Sequence, residues 1–207
     1  MEYPITGLPE AQAYDVLTQV VVPRPVAWVL SDNGTPGDDE RWNLAPYSYF
    51  NYISSAPPLV MLSIGSRLVP GREKDTGRNL RSRPEFVIHI ASVAQAQALQ
   101  LSSNDLAPGL SEARAYGIEL AEWDWPVPRV ADAPIAMACI ARQFTPVGDS
   151  GQVVVFAEVC KLWLRPDVAS MDAKGRLLID VMAVDPLARL GKGAYARLTG
   201  VFKPAAP

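Results

Sequence analysis

Prolines interrupt the apolar segments of this chain at short intervals, and this spacing limits the folds that the chain can adopt. The sequence has 19 prolines in 207 residues, above the average usage of about 5%. Long helices are not expected, because a proline inside a helix removes a hydrogen bond and clashes with the preceding turn. Short apolar segments between turn residues are typical of strands. The sequence therefore predicts a mainly β fold.

Seven segments have strand character, and helical spacing occurs only in short stretches before or between them. The predicted strands are 20–30, 43–53, 58–65, 85–92, 135–144, 152–164 and 176–182, and the predicted helices are 10–19, 74–83 and 93–101. This order favours a closed or nearly closed antiparallel β-barrel with short helical inserts. We expect one domain over residues 1–207, in which about 186–207 form a short helical turn and an extended arm.

Charge and composition exclude several function classes. The net charge is −3 and the basic residues form no long run, so no nucleic-acid or membrane partner is expected. The N-terminal residues lack the basic and apolar regions of a signal peptide, and no apolar run is long enough to span a membrane. A cytoplasmic location is expected. Cys139 and Cys160 are 21 positions apart, which indicates neither a disulfide framework nor a zinc site, and we expect two buried thiols.

The single histidine restricts the catalytic chemistry. A metal site with paired histidines is excluded, and a Ser-His-Asp triad would have to use His89. Strand alternation places His89 on the same face as Val87 and Ala91, opposite Phe86 and Ile88. A structural histidine with satisfied hydrogen bonds and a catalytic one both fit this position, and the first is the more common.

One basic segment could bind an anion. Arg67, Arg72 and Lys74 precede a predicted helix whose N-cap would be Asp75 or Thr76, and the free amides at a helix start attract phosphate. Asn79 would add a side-chain amide one turn later. A solvated basic loop before an ordinary capped helix is the alternative.

The stretch NLAPYSYF, residues 43–50, has a proline inside a strand. Such a strand is an edge strand or a bulged one. An edge with the small residues Ala45 and Ser48 could hydrogen-bond the polar rim of a flat ring through its main chain. A bulged core strand fits the pattern equally well.

Several of these segments, in this order, resemble the flavin reductase-like family of FMN-binding split barrels. The resemblance rests on the following segments: PRPVAWVLS, NLAPYSYF, SAPPLVMLSIG, KDTGRNL, EFVIHIAS and DPLARLGKGAYARL. It implies an antiparallel split barrel, a homodimer with FMN near the subunit interface, and FMN as the cofactor.

The family's flavin contacts can be transferred to this sequence by position. Ser31 would lie at the end of the first barrel strand. The resemblance then implies ring contacts at Asn43, Ala45, Pro46, Tyr47 and Ser48. Ribityl and phosphate contacts would come from Ser63, Gly65, Arg67, Lys74, Thr76 and Asn79, with Asp75 as the helix cap. Arg189 and Tyr195 are further candidates near the ring or the partner subunit. The family more often has asparagine at position 89.

Two functions are compatible with this resemblance. The first is an NAD(P)H-dependent flavin reductase, in which hydride passes from the nicotinamide to the flavin and no catalytic side chain is required. The second is a non-enzymatic FMN electron carrier, similar to flavoredoxin, that is reduced by a protein partner. A monooxygenase or another redox protein is a possible partner in either case. A β-barrel interaction module without a cofactor is the least supported alternative.

Overall fold

A computed structural model describes residues 1–35, 37, 40–66 and 73–205 of the chain. The fold is mainly β, with 40% strand and 18% helix. The helices are α1 (Glu10–Val20), α2 (Asp75–Ser82), α3 (Ala96–Leu101), α4 (Glu112–Ala115) and α5 (Val181–Val184), and a 3₁₀ helix spans Val93–Gln95. None of the helices in the described ranges is long and apolar enough to cross a membrane.

The strands are β1 (Arg24–Pro25), β2 (Ala27–Asp32), β3 (Trp42–Tyr47), β4 (Phe50–Ser55), β5 (Pro58–Ile64), β6 (Glu85–Ile90), β7 (Leu120–Ala121), β8 (Arg129–Val130), β9 (Ile135–Val147), β10 (Gln152–Leu164), β11 (Ala169–Met171), β12 (Leu177–Ile179), β13 (Leu187–Arg189) and β14 (Tyr195–Arg197). Seven of them form one antiparallel sheet in the order β3-β2-β6-β9-β10-β5-β4.

The two edge strands of this sheet follow each other in the chain. Only Ser48 and Tyr49 separate β3 from β4, so one corner joins the two edges of the sheet. At that corner the Ser63 amide donates to the Tyr49 carbonyl at 2.8 Å. The sheet is thereby curled into an antiparallel split barrel, as the sequence predicts.

Strand alternation separates two hydrophobic cores. Ala27 and Val29 of β2 point into one cluster that also receives side chains from β4, β5, β9 and β10 and from Leu80 of α2. Trp28 and Leu30 point to the other side, where they pack beneath the helical inserts and the residues around Val127. Because both faces of β2 are covered, all six of its residues are buried.

His89 has a structural role between these layers. It is fully buried, its Nε2 accepts a hydrogen bond from the Val130 amide at 2.9 Å, and its Nδ1 lies 2.8 Å from the Trp28 carbonyl. This pairing requires the neutral ring with the proton on Nδ1. Burial lowers the pKa of His89 from 6.5 to about 4. Both nitrogens are therefore engaged in joining β6 to β2 and β8.

The structure corrects three predictions from the sequence. Residues 176–182 are not a barrel strand, because β12 pairs only with β11 and the Asp180 carboxylate then accepts the amides that start α5. Residues 187–197 do not form a helical turn, since β13 and β14 form a hairpin that pairs with β1. Cys139 is buried as expected, but Cys160 is exposed.

Candidate functional site: a cleft along the edge of strand β3

Strand β3 is an edge strand, and this position explains its proline. Pro46 lies opposite Trp28 of β2. In an antiparallel pair, alternate residues direct their main-chain groups toward the partner strand or away from it. Pro46 has no amide hydrogen, so it is tolerated at an outward-facing position of the ladder. Trp42 and Leu44 have the same orientation, because they lie four and two residues before Pro46.

A polar segment covers the first half of this edge. The Ser111 hydroxyl donates to the Trp42 carbonyl at 2.6 Å, and Glu112 Oε2 accepts the Leu44 amide at 2.9 Å. Both Ser111 and Glu112 are buried. The outward main-chain groups are thus covered at positions 42 and 44, and the accessible part of the edge begins near Pro46.

Four predicted site residues from three elements meet in one buried network. Asn43 Nδ2 donates to Thr76 Oγ1 at 2.9 Å and to Ser31 Oγ at 3.2 Å. Asn79 Nδ2 donates to the same Ser31 oxygen at 3.2 Å and to Asn33 Oδ1 at 2.9 Å. These side chains are separated by up to 48 positions in the sequence, and their bonds fix α2 against the ends of β2 and β3.

Helix α2 begins at Asp75, which corrects the predicted cap. The N-cap residue is Lys74, whose side chain makes no capping hydrogen bond. Asp75 lies in the first turn and forms an ion pair with Arg78 at 2.5 Å. The helix start thus has the partial positive charge of its amides, and Lys74 adds a full charge next to it.

Tyr47 joins the helix start to strand β3. Its side chain is 7% exposed, and the Lys74 ammonium lies 6.0 Å from the centre of its ring. Burial raises the pKa of the Tyr47 phenol well above its usual range, so the phenol stays protonated at neutral pH. Lys74 therefore faces an uncharged aromatic wall rather than a phenolate.

Two adjacent pockets lie along this edge. The first, which we call the α2 pocket, is lined by Asn43, Ala45, Pro46, Tyr47, Lys74, Asp75, Thr76, Glu112 and the loop 102–106. The second, the hairpin pocket, has a volume of about 220 Å³ and lies between α1 and the β13–β14 hairpin. Pro46 and Ser103 line both pockets. Together the pockets form one cleft that runs from the start of α2 past β3 to the hairpin.

Most of the predicted site residues line this cleft. Asn43, Ala45, Pro46, Tyr47, Lys74, Asp75 and Thr76 line the α2 pocket, and Ser48, Arg189 and Tyr195 line the hairpin pocket. Ser31 and Asn79 are buried behind Asn43 and Thr76 and line neither pocket.

Two of the remaining predicted residues, Ser63 and Gly65, lie near the end of β5. The Ser63 hydroxyl donates to Gln152 Oε1 at 2.9 Å, and Gly65 also packs against the Gln152 side chain. Neither lines the two pockets. Arg67 follows immediately, but it lies outside the described residues.

Sequence reasoning missed one wall of the cleft and the cation beneath it. Residues 102–106 form the wall, which is anchored by the Trp28 indole N–H donating to Ser102 Oγ at 2.9 Å. Arg24 lines the hairpin pocket. From the sequence, its segment, PRP, is interpreted only as the start of a strand, and no role is predicted for its side chain. Residue pairs of this kind, 74 positions apart, leave no local pattern in the sequence. The SEAR motif at 111–114, a serine N-cap before an acidic first turn, could have indicated α4.

The comparisons with known proteins identify the family. Flavin reductase like domain proteins share a sequence pattern that matches residues 20–180. The chain belongs to the flavin reductase like domain family. An uncharacterized protein of Deinococcus radiodurans is 39% identical over 97% of this chain and 87% of its own length. This flavin reductase like protein is therefore a flavin-related oxidoreductase.

Two solved structures are similar over nearly the whole chain. Nitrilotriacetate monooxygenase component B from Bacillus cereus has a TM-score of 0.86 and 29% identity, covering 99% of this chain and 98% of its own. The 2-nitrobenzoate 2-nitroreductase NbaA of Pseudomonas fluorescens has a TM-score of 0.84 and 31% identity, covering 100% of this chain and 96% of its own.

The residues of the cleft are suited to a flavin mononucleotide. A phosphate needs amide donors and a cation, which the start of α2 and Lys74 provide. A flat heteroaromatic ring needs a slot with polar edges, and β3 offers main-chain groups near Pro46 beside the small residue Ala45. The hydrogen-bonding groups and the cation of the cleft therefore fit a ligand that has a phosphate at one end and a flat polar ring at the other.

Proposed function

We propose that this protein is an NAD(P)H-dependent flavin reductase that holds FMN in the cleft along β3. The phosphate would lie at the start of α2, against Lys74 and Thr76. The ring would lie against the accessible part of the β3 edge, from Ala45 to Ser48, with the Asn43 side chain beside it. When bound, the flavin supplies the redox chemistry by accepting a hydride from a nicotinamide.

The adjacency of the α2 pocket and the hairpin pocket, which share Pro46 and Ser103 in their walls, is the observation that carries this proposal. A carrier that exchanges electrons with proteins needs only a flavin site. Here a further cavity of about 220 Å³ adjoins the flavin end of the cleft at Pro46 and Ser103. Space for a second small molecule next to the flavin favours an enzyme.

The chain's own residues would act by position and polarity. Asn43 is held by Ser31 and Thr76, so its side chain has a fixed orientation at the ring end of α2. Glu112 and Ser111 fix the main chain of β3. No side chain has to donate or accept a proton for hydride transfer, which is consistent with a histidine that is fully occupied in the core.

The reduced flavin would serve a second protein or a second substrate. A component B of a monooxygenase system is 29% identical to this chain, and this similarity supports the supply of reduced flavin to a monooxygenase. We propose a monooxygenase as the acceptor of the reduced flavin and NADH or NADPH as the electron donor.

Nicotinamide oxidation tests the reductase directly. The rate of NADH and of NADPH oxidation should rise in proportion to the wild-type protein when FMN is added, above the rate of the same mixture without protein. Exposed Lys174, on the turn between β11 and β12, provides a Lys174→Gln control that should have the wild-type rate. FMN binding with no oxidation of either nucleotide would favour the electron carrier.

A further inference from the structure

The hairpin pocket has a concentration of positive charge that the flavin site does not explain. Arg24, Arg189 and Lys192 line it, and Asp15 is its one acidic residue among those described. Within the described part of the chain, none of these three cations forms an ion pair with a carboxylate. The pocket is thus a cavity with an excess of two positive charges over its single carboxylate.

Arg24 is the central feature of this pocket. It is 7% exposed, and among the described residues its guanidinium donates only to neutral groups. These are the carbonyls of Thr18 at 2.7 Å, Val21 at 2.6 Å and Leu190 at 3.1 Å, and the Ser48 hydroxyl at 3.4 Å. A guanidinium has five N–H donors, so these four bonds leave one N–H of Nη2 without a partner among the described residues. A buried cation without a counter-charge favours an anion nearby.

Aromatic side chains supply the other walls. Tyr14 of α1 and Tyr195 of β14 line the pocket, and the Arg189 guanidinium lies 4.6 Å from the centre of the Tyr195 ring. Arg189 bonds otherwise only to the neutral groups of Gln100 and Gly193, each at 3.4 Å. Its guanidinium is therefore oriented but not neutralised.

We propose that the hairpin pocket is a subsite for the oxyanion of the small molecule that reacts with the bound flavin. This inference rests on the proposed function. The shared chemistry is a carboxylate or phosphate group that is held by Arg24, Arg189 and Lys192, while the rest of the molecule extends past Pro46 and Ser48 to the flavin. Two sources could supply that group: an aromatic carboxylate substrate, or the phosphate of a nicotinamide dinucleotide.

Calorimetric titration of the FMN-loaded protein separates these sources. Benzoate is compared with uncharged benzamide, and adenosine 2′-phosphate with adenosine, while the visible flavin spectrum shows that FMN stays bound. At least one anion should bind about tenfold or more tightly than its uncharged counterpart. The pair of ligands that shows this preference identifies the source.

Three variants test the assignment to this pocket. Lys192→Gln should weaken anion binding about fivefold, because it removes a lining charge that makes no described hydrogen bond. Asp15→Asn should tighten binding a few-fold, since it removes the repelling carboxylate. Lys174→Gln changes the net charge equally but lies on a distant turn, so it should leave the affinity unchanged.

Three results would overturn the proposal. They are no preference for either anion over its uncharged counterpart, equal effects of Lys192→Gln and Lys174→Gln, or displacement of FMN by benzoate, which would assign the pocket to the flavin. If the protein does not take up FMN, the proposed function fails, but the same titrations on the flavin-free protein still decide whether the pocket binds anions.

Discussion

At the scale of single residues, His89 shows how a chemically versatile side chain can be committed to structure. Its buried, neutral ring joins β6 to the Trp28 carbonyl and the Val130 amide. The sequence allowed a catalytic role as well as a structural one. Periodicity placed the ring on the correct face of β6, but only the tertiary contacts show that both nitrogens already have partners.

Because the buried His89 ring is neutral in the folded protein, we expect the free energy of unfolding to fall at acid pH. The pKa of His89 is about 4 in the folded protein and about 6.5 in the unfolded chain, so the unfolded state binds more protons between these values. The free energy of unfolding should therefore fall as the pH drops from 6.5 to 4, by up to about 3 kcal/mol from this group. Urea denaturation of the wild type and of His89→Asn should show this decline in the wild type alone, and parallel pH curves would contradict it.

Lys74 and Thr76 give a second prediction at this scale. Lys74→Ala should weaken FMN binding by about 1.5–3 kcal/mol, because it removes a charge-assisted phosphate contact, and should leave riboflavin binding unchanged. Thr76→Ala should weaken both ligands, by about 1 kcal/mol, since the hydroxyl also accepts the Asn43 amide. Thr76→Ser keeps the hydroxyl and should resemble the wild type. Equal losses of FMN and riboflavin in Lys74→Ala would place the phosphate elsewhere.

At the scale of elements, strand β3 depends on a segment almost 70 residues further along the chain. Glu112 accepts the Leu44 amide, which is an outward-facing group on an edge strand. An edge without such a partner would leave a buried donor unsatisfied, and β3 would then hold the residues of the proposed flavin site less firmly. We expect α4 to set the order of that proposed site in this way.

Paired substitutions at Glu112 test this dependence. Glu112→Ala should lower the free energy of unfolding by about 1–3 kcal/mol, because the Leu44 amide loses its acceptor, and should also weaken FMN binding. Glu112→Gln keeps an acceptor and should lose less. Exposed Glu119→Ala removes the same charge and should be close to neutral in urea denaturation. Equal stability of the alanine and glutamine variants at position 112 would refute the role of this bond.

The elements that were predicted correctly are those with a local signal. The helix at 10–19, the strands at 58–65 and 152–164, and the strand 85–92 have clear periodicity or β-branched content, and the structure has elements there. The tail hairpin was missed because β13 pairs with Arg24 and Pro25, more than 160 positions earlier, and short strands stabilised by distant partners have weak local patterns. The segment 176–182 is apolar enough for a strand, but the Asp180 cap redirects it into α5.

At the scale of the whole molecule, the split barrel leaves apolar surface on the edge strand β4 and at the C-terminal end of α1. Tyr52 is 61% exposed, Ile53 44%, Val20 69% and Val21 58%. An exposed strand edge with large apolar side chains invites pairing with another chain, and two-fold pairing of identical chains is the most common arrangement.

We therefore predict a homodimer. Light scattering at micromolar concentration with FMN bound should give about twice the chain mass of 22.4 kDa. A mass that stays at that of one chain across the concentration range would contradict the expected pairing, even if FMN binds normally.

The central claim is that the cleft along β3 binds FMN, and an equilibrium titration with FMN tests it most directly. The protein is unfolded and refolded without flavin, and FMN is added while its fluorescence and visible absorption are followed. We predict saturable binding of one FMN per chain with the spectrum of oxidised flavin, and weaker binding of riboflavin because it lacks the phosphate held at the start of α2. A refolded protein that shows no saturable change with FMN, or that binds riboflavin as tightly as FMN, would contradict this account.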